Sequence, residues 1–119
     1  MAPSPIWDCA KRFTSGMYIS GQVQCVSFHI AKHLKLGQGG AILHDDAEAD
    51  VWYRIARFDG RTEGIATKDD TYPIPGWHCY LSPDVAARGL WLMDTYPKDV
   101  PDQEMHEYPS MSFYRWPGE

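Results

Sequence analysis

The stretch Ser27-Phe-His-Ile-Ala-Lys32-His-Leu-Lys-Leu-Gly37-Gln-Gly-Gly40 joins two strand-like runs through a lysine and a glycine-rich turn. On its N-terminal side, Gln22-Val-Gln-Cys-Val-Ser-Phe28 is rich in β-formers, partly alternating and poor in charge, as strands buried in a parallel sheet are. On its C-terminal side, Gly37-Gln-Gly-Gly40 gives backbone that reaches positive φ without strain. Ala41-Ile-Leu43 then reads as a second strand, stopped by His44-Asp-Asp46. Because a strand and no helix follows the glycines, this is not a dinucleotide-binding turn.

Working outward, a helix is predicted after Asp45 or Asp46, either of which caps it. Glu48 and Asp50 suit the positive end of its dipole. Val51, Ile55 and Phe58 keep helical spacing with Trp52 beside them, and Gly60 ends the run. Residues 59–76 read as a loop, since prolines flank Ile74. Ser82-Pro-Asp-Val starts a second helix, Ser as cap and Pro at the first helical position, running to about Met93. Upstream, Pro5-Ile-Trp-Asp8 is a short apolar run ending in an acid. Residues 97–119 read as an irregular, proline-rich tail with one short strand at Ser110–Tyr114. Trp52, Trp77 and Trp91 are expected to pack. The order strand, strand, strand, helix, helix is that of part of an α/β sheet, a single fragment-like domain whose informative portion is residues 1–96.

Composition narrows the function. The chain has 119 residues, 44% hydrophobic and 23% charged, the balance of a folded domain with a modest core. A net charge of -5 and the absence of any Lys/Arg run argue against a nucleic-acid partner. No apolar run approaches the roughly 20 residues of a membrane helix. Cys9, Cys25 and Cys79 form no disulfide framework and are expected to be reduced, mostly in the core. With no secretory pattern at the N-terminus, a cytoplasmic location is expected.

The chemistry lies in the lysine stretch. An amine beside a hydroxyl and flexible backbone amides is what an aldehyde cofactor with a phosphate handle requires: the lysine condenses with the aldehyde, and the hydroxyl and amides take the phosphate oxygens. Ser-Phe-His-x-x-Lys followed by Gly-x-Gly-Gly and a short apolar strand resembles the lysine motif of the DegT/DnrJ/StrS sugar aminotransferases, which use pyridoxal 5'-phosphate (PLP). Ile6-Trp-Asp8-Cys-Ala10 resembles that family's strand ending in an acid, and Gly76-Trp-His-Cys-Tyr-Leu-Ser82 with Ala86, Ala87 and Gly89 resembles its loop into an alanine-rich helix.

The resemblance implies a partial large domain of the aspartate-aminotransferase type (fold type I) and amino transfer from an amino acid to a keto group of a nucleotide-linked sugar. It implies Lys32 as the catalytic Schiff-base lysine, Asp8 on the pyridine nitrogen, Ser27 on the phosphate, His29 as a supporting group and His78 at the position that reaches the phosphate across a subunit boundary. A lysine at position 32, where some relatives carry histidine, implies transamination and not dehydration. Lys11, His33, His78 and Tyr80 stand where the family usually has glutamine, asparagine, asparagine and arginine. Family members are several times longer and dimeric, so a homodimer or a companion chain is expected. Taken without the motif, Lys32 reads as a surface lysine, Asp8 as a turn residue and Ser27 as a strand-end hydroxyl. His29 and His33 are four apart, but a strand-to-turn transition separates them and no further ligand completes a set, so no metal site is expected. The alternative to an enzyme is a non-catalytic or split-enzyme fragment that works with a companion polypeptide.

Overall fold

The computed structural model describes residues 5–105. β1 (Ile6–Asp8), β2 (Val23–Ser27) and β3 (Gly40–Leu43) form one sheet in that order, followed by α1 (Ala47–Arg57) and α2 (Pro83–Asp94). β1 and β2 are parallel, with Asp8 opposite Cys25; β2 and β3 are antiparallel, with Ser27 opposite Gly40. The five elements are the five expected. The strand expected at Ser110–Tyr114 lies outside the described residues.

Alternation along β2 divides the sheet into two faces. Gln24, Val26 and Phe28 point one way and are 2%, 6% and 8% exposed. Leu34 and Leu36 fold back from the lysine turn onto Val26 and Phe28, and Cys9, Phe13, Met17, Val85, Leu92 and Tyr96 pack around them. α2 therefore covers this face. Gly89 lets it settle, since a Cβ there would stand 3.0 Å from Leu36 Cδ1. Gln24 is the polar exception: its amide donates to Met17 O (3.3 Å) and Gln22 Oε1 (2.9 Å), pinning the connection from β1 beneath β2.

On the other face, α1 stands over Cys25 and Ile42 and leaves a groove of about 600 Å³ whose walls include Tyr53, Ala56 and Trp77. Asp46 is the cap of α1, accepting from the amides of Glu48 (2.9 Å) and Ala49 (3.0 Å). Gly60, at φ 77°, closes the helix end by donating to Ile55 O. Ser82 stands at the cap of α2 but makes no side-chain capping bond; the fixed φ of Pro83 at the first helical position supports that start.

Packing departs from the expectation in three places. The buried residue of α1 is Ala56, while Val51 and Trp52 are 59% and 48% exposed. The rotation of α1 is fixed by the returning chain, where the Trp77 amide donates to Ala56 O (2.7 Å) and the Cys79 amide to Arg57 O (2.9 Å). Trp77 and Trp91 are also exposed, at 59% and 69%, so none of the three tryptophans is the packed residue expected. A three-stranded sheet offers too little area to cover them. All three cysteines are free, but Cys79 is exposed, so only Cys9 and Cys25 come near the expected core placement.

Candidate cofactor site

Asp8 and Ser27 end two adjacent parallel strands, and the lysine turn begins directly after Ser27. Two of the expected residues thus lie at the carboxyl end of one strand pair, where open α/β sheets place their ligands, with Lys32 in the turn that follows. Asp8 accepts the Ala10 amide on Oδ1 (2.9 Å), an Asx turn in which Oδ2 has no hydrogen-bond partner among the described residues. Ser27 Oγ accepts the His29 amide (3.3 Å), which leaves its own proton free to donate. The turn-residue and strand-end readings of these side chains hold, and both groups retain the capacity a cofactor requires.

Lys32 is half-buried in a tight turn. Its amide donates to His29 O (2.8 Å), and the turn closes through the Leu36 and Gly37 amides on Phe28 O. Among the described residues, its ammonium has no ion-pair partner. His29 is exposed and accepts the Ala31 amide on Nδ1 (3.2 Å), so it shapes the turn. His33 meets Lys11 O through Nε2 (3.0 Å). A carbonyl only accepts, so Nε2 carries the proton. The two histidines of the considered metal pair therefore have separate backbone partners.

His78 lies elsewhere. Its Nδ1 stands 3.3 Å from Asp59 Oδ2, and its ring lies against Tyr80 with centroids 4.3 Å apart. Asp59 sits at φ 58°, an uncommon conformation for a side-chain-bearing residue, held by its amide on Trp77 O. Among the described residues, no hydrogen bond joins His78 to Asp8, Ser27 or Lys32. The groove under α1 is lined by none of the expected site residues.

A strap from Lys98 to Glu104 runs back along the segment after β1. Ser15 N and Thr14 Oγ1 donate to Lys98 O (2.8 and 2.9 Å), and the Gln103 amide donates to Lys11 O (2.9 Å). The Lys11 ammonium meets Glu104 O, and Arg12 forks onto both oxygens of Asp102. Irregular composition marked these residues as tail; nothing local in them announces partners so far back in the chain.

The Arg12 hydrogen bond holds the Asp102 carboxyl below the usual carboxylate range, and its charge adds to the effect. A carboxylate depressed in the folded state contributes stability above its unfolded pKa and loses it as pH falls through the folded one. The strap is accordingly expected to loosen below about pH 4. Faster hydrogen exchange of the Gln103 amide would report it, and unchanged exchange down to about pH 3 would contradict it. Salt should act in the same direction, because both partners are half-exposed.

The sequence model of the DegT/DnrJ/EryC1/StrS aminotransferase family matches residues 15–95, from the approach to β2 through the end of α2. The chain belongs to this family. Its members are PLP-dependent aminotransferases acting on small molecules, and the mixed α/β architecture is consistent with part of such an enzyme's domain. Ser27, His29, Lys32 and His78 fall inside the DegT-type match; Asp8, Lys11 and the strap fall outside it. Neither a curated protein nor a solved structure matches the chain. No helix among the described residues is long and apolar enough to cross a membrane.

Proposed function

We propose that this chain is the cofactor-lysine portion of a PLP-dependent aminotransferase that transfers an amino group from an amino acid to the keto carbon of a nucleotide-linked sugar, in a large domain of fold type I. The observation that supports the reading is that Asp8 and Ser27 end neighbouring parallel strands and that the Lys32 turn follows directly after Ser27. The DegT-family match supports the reaction class.

PLP, when bound, supplies the electron sink that makes the substrate's α-proton removable. The residues of this chain bind and move protons around it. Lys32 would hold the cofactor through its side-chain amine, and the same amine would serve as the acid and base of the amino transfer. Asp8 would hold the pyridine nitrogen in its protonated form. The Ser27 hydroxyl donates to the phosphate, and His29 holds the turn from which Lys32 projects. His78 would serve the phosphate of a neighbouring subunit's site. We place the protein in the cytoplasm.

The test is chemical. PLP mixed with the purified chain and fixed by borohydride should be found by peptide mass spectrometry on Lys32, near one equivalent. Labelling scattered over Lys11, Lys35, Lys68 and Lys98, or absent, would defeat the reading for the chain alone.

A second reading has its own support. Ile6, Leu90 and Trp91 are 74%, 72% and 69% exposed, and the outer edges of β1 and β3 have no strand partner among the described residues. Such edges and apolar side chains favour association. A split-enzyme or non-catalytic fragment completed by a companion polypeptide, or a homodimer, accounts for them. If a complex carrying Lys32→Ala kept full activity, the non-catalytic role would be the correct one.

A further inference from the structure

We propose that Gln103 is a positioning residue for Lys32, acting from the strap beyond the family match; this rests on the reading of Lys32 as the cofactor lysine. Gln103 makes two contacts at once. Its backbone amide donates to Lys11 O (2.9 Å) and its side-chain Nε2 donates to Ala31 O (3.2 Å). Ala31 and Lys32 share one peptide plane. Gln103 holds the carbonyl side of that plane, and the N–H side donates to His29 O (2.8 Å). On the far side of Lys32, His33 Nε2 donates to the same Lys11 carbonyl (3.0 Å).

Both neighbours of Lys32 are thereby tied to the arm that carries Asp8. Ala31 is tied through Gln103, and His33 is tied directly. The Cα from which the lysine projects is fixed relative to Asp8, and the amine sweeps only what its own torsions allow. Holding the aldehyde carbon and passing a proton to it both depend on placement to within about 1 Å. The strap has anchors of its own, since Val100 N donates to Thr14 Oγ1 (3.0 Å) and Arg12 grips Asp102. Removing the Gln103 side chain therefore releases the Ala31 carbonyl and leaves the strap in place.

The experiment uses the full 119-residue chain with Gln103→Ala and Gln103→Glu. Glutamate keeps the length and, ionised, has no proton to donate. The Lys32 amide is expected to exchange about fivefold faster in both variants, with the melting midpoint and the exchange of residues 59–76 unchanged. Borohydride-fixed PLP on Lys32, measured against Lys35, should fall by about the same factor. A purely structural role would leave that ratio alone at constant melting midpoint. Wild-type exchange of the Lys32 amide in both variants would overturn the proposal. If the wild-type chain fixed no PLP on Lys32, the cofactor-lysine reading would fail, while the exchange data would still tell whether Gln103 tethers the turn.

Discussion

Replacing Lys32 by alanine is expected to eliminate PLP fixation at that position and to lower amino transfer by the assembled enzyme by about a thousandfold or more. The amine is needed twice, to condense with the cofactor aldehyde and to carry the proton, and no nearby group replaces it. Lys35 is exposed on the same turn, and Lys11 is engaged with Glu104 O. The fold should be indifferent to the change. The turn is held by backbone bonds and by Leu34 and Leu36, which are 2% and 3% exposed. Stability should stay within about 0.5 kcal/mol of wild type, so a loss reads on chemistry alone. Lys35→Ala is the control and should behave as wild type. If Lys32→Ala bound PLP and turned over normally, another lysine would hold the cofactor.

The second large effect concerns two glycines with no chemistry of their own. A Cβ on Gly76 would overlap the backbone of Asp59 and Gly60, and a Cβ on Gly60 would overlap the Ile74 carbonyl. Two stretches of main chain cross here with nothing between them, and Gly60 also stands at φ 77°. Backbone cannot yield as the end of a side chain can. Gly76→Ala should therefore cost about 3 kcal/mol or more and lower the melting midpoint by roughly 10 °C. The crossing closes the loop of residues 59–76, and its loss would free the bonds from Trp77 and Cys79 to the end of α1. Limited proteolysis should then cut within 59–76. Gly64→Ala is the comparison: φ there is 82°, but nothing lies within 4 Å, so only the backbone strain of about 1 kcal/mol should appear. Equal melting midpoints for the two variants would mean that the crossing does not hold the loop shut.

Much of the fold was legible locally. The β-rich run before Ser27, the glycines after it and the cap at Asp46 each act over a few residues, and the strands and helices formed where those signals stood. The lysine motif was legible for the same reason, as a spacing of residues within a single turn. What misled was rotation. Val51, Ile55 and Phe58 share a helical face, and the period is indifferent to whether anything covers it. Hydrogen bonds from Trp77 and Cys79 turned Ala56 inward instead.

The sequence by itself determined the elements, the Asp46 cap of α1, the glycine turns and the order Asp8, Ser27, Lys32 along the chain. Only the tertiary structure decided that Asp8 and Ser27 end neighbouring parallel strands, that His78 pairs with Asp59, that Gly60 and Gly76 cross, and that Gln103 reaches the peptide plane of Lys32. The difference is one of range. Propensity, capping and periodicity act between near neighbours in the chain, whereas these pairings join residues as much as 72 positions apart, as Gln103 and Ala31 are. Such contacts have no local signature, because they form only once the sheet, the turn and the strap have packed.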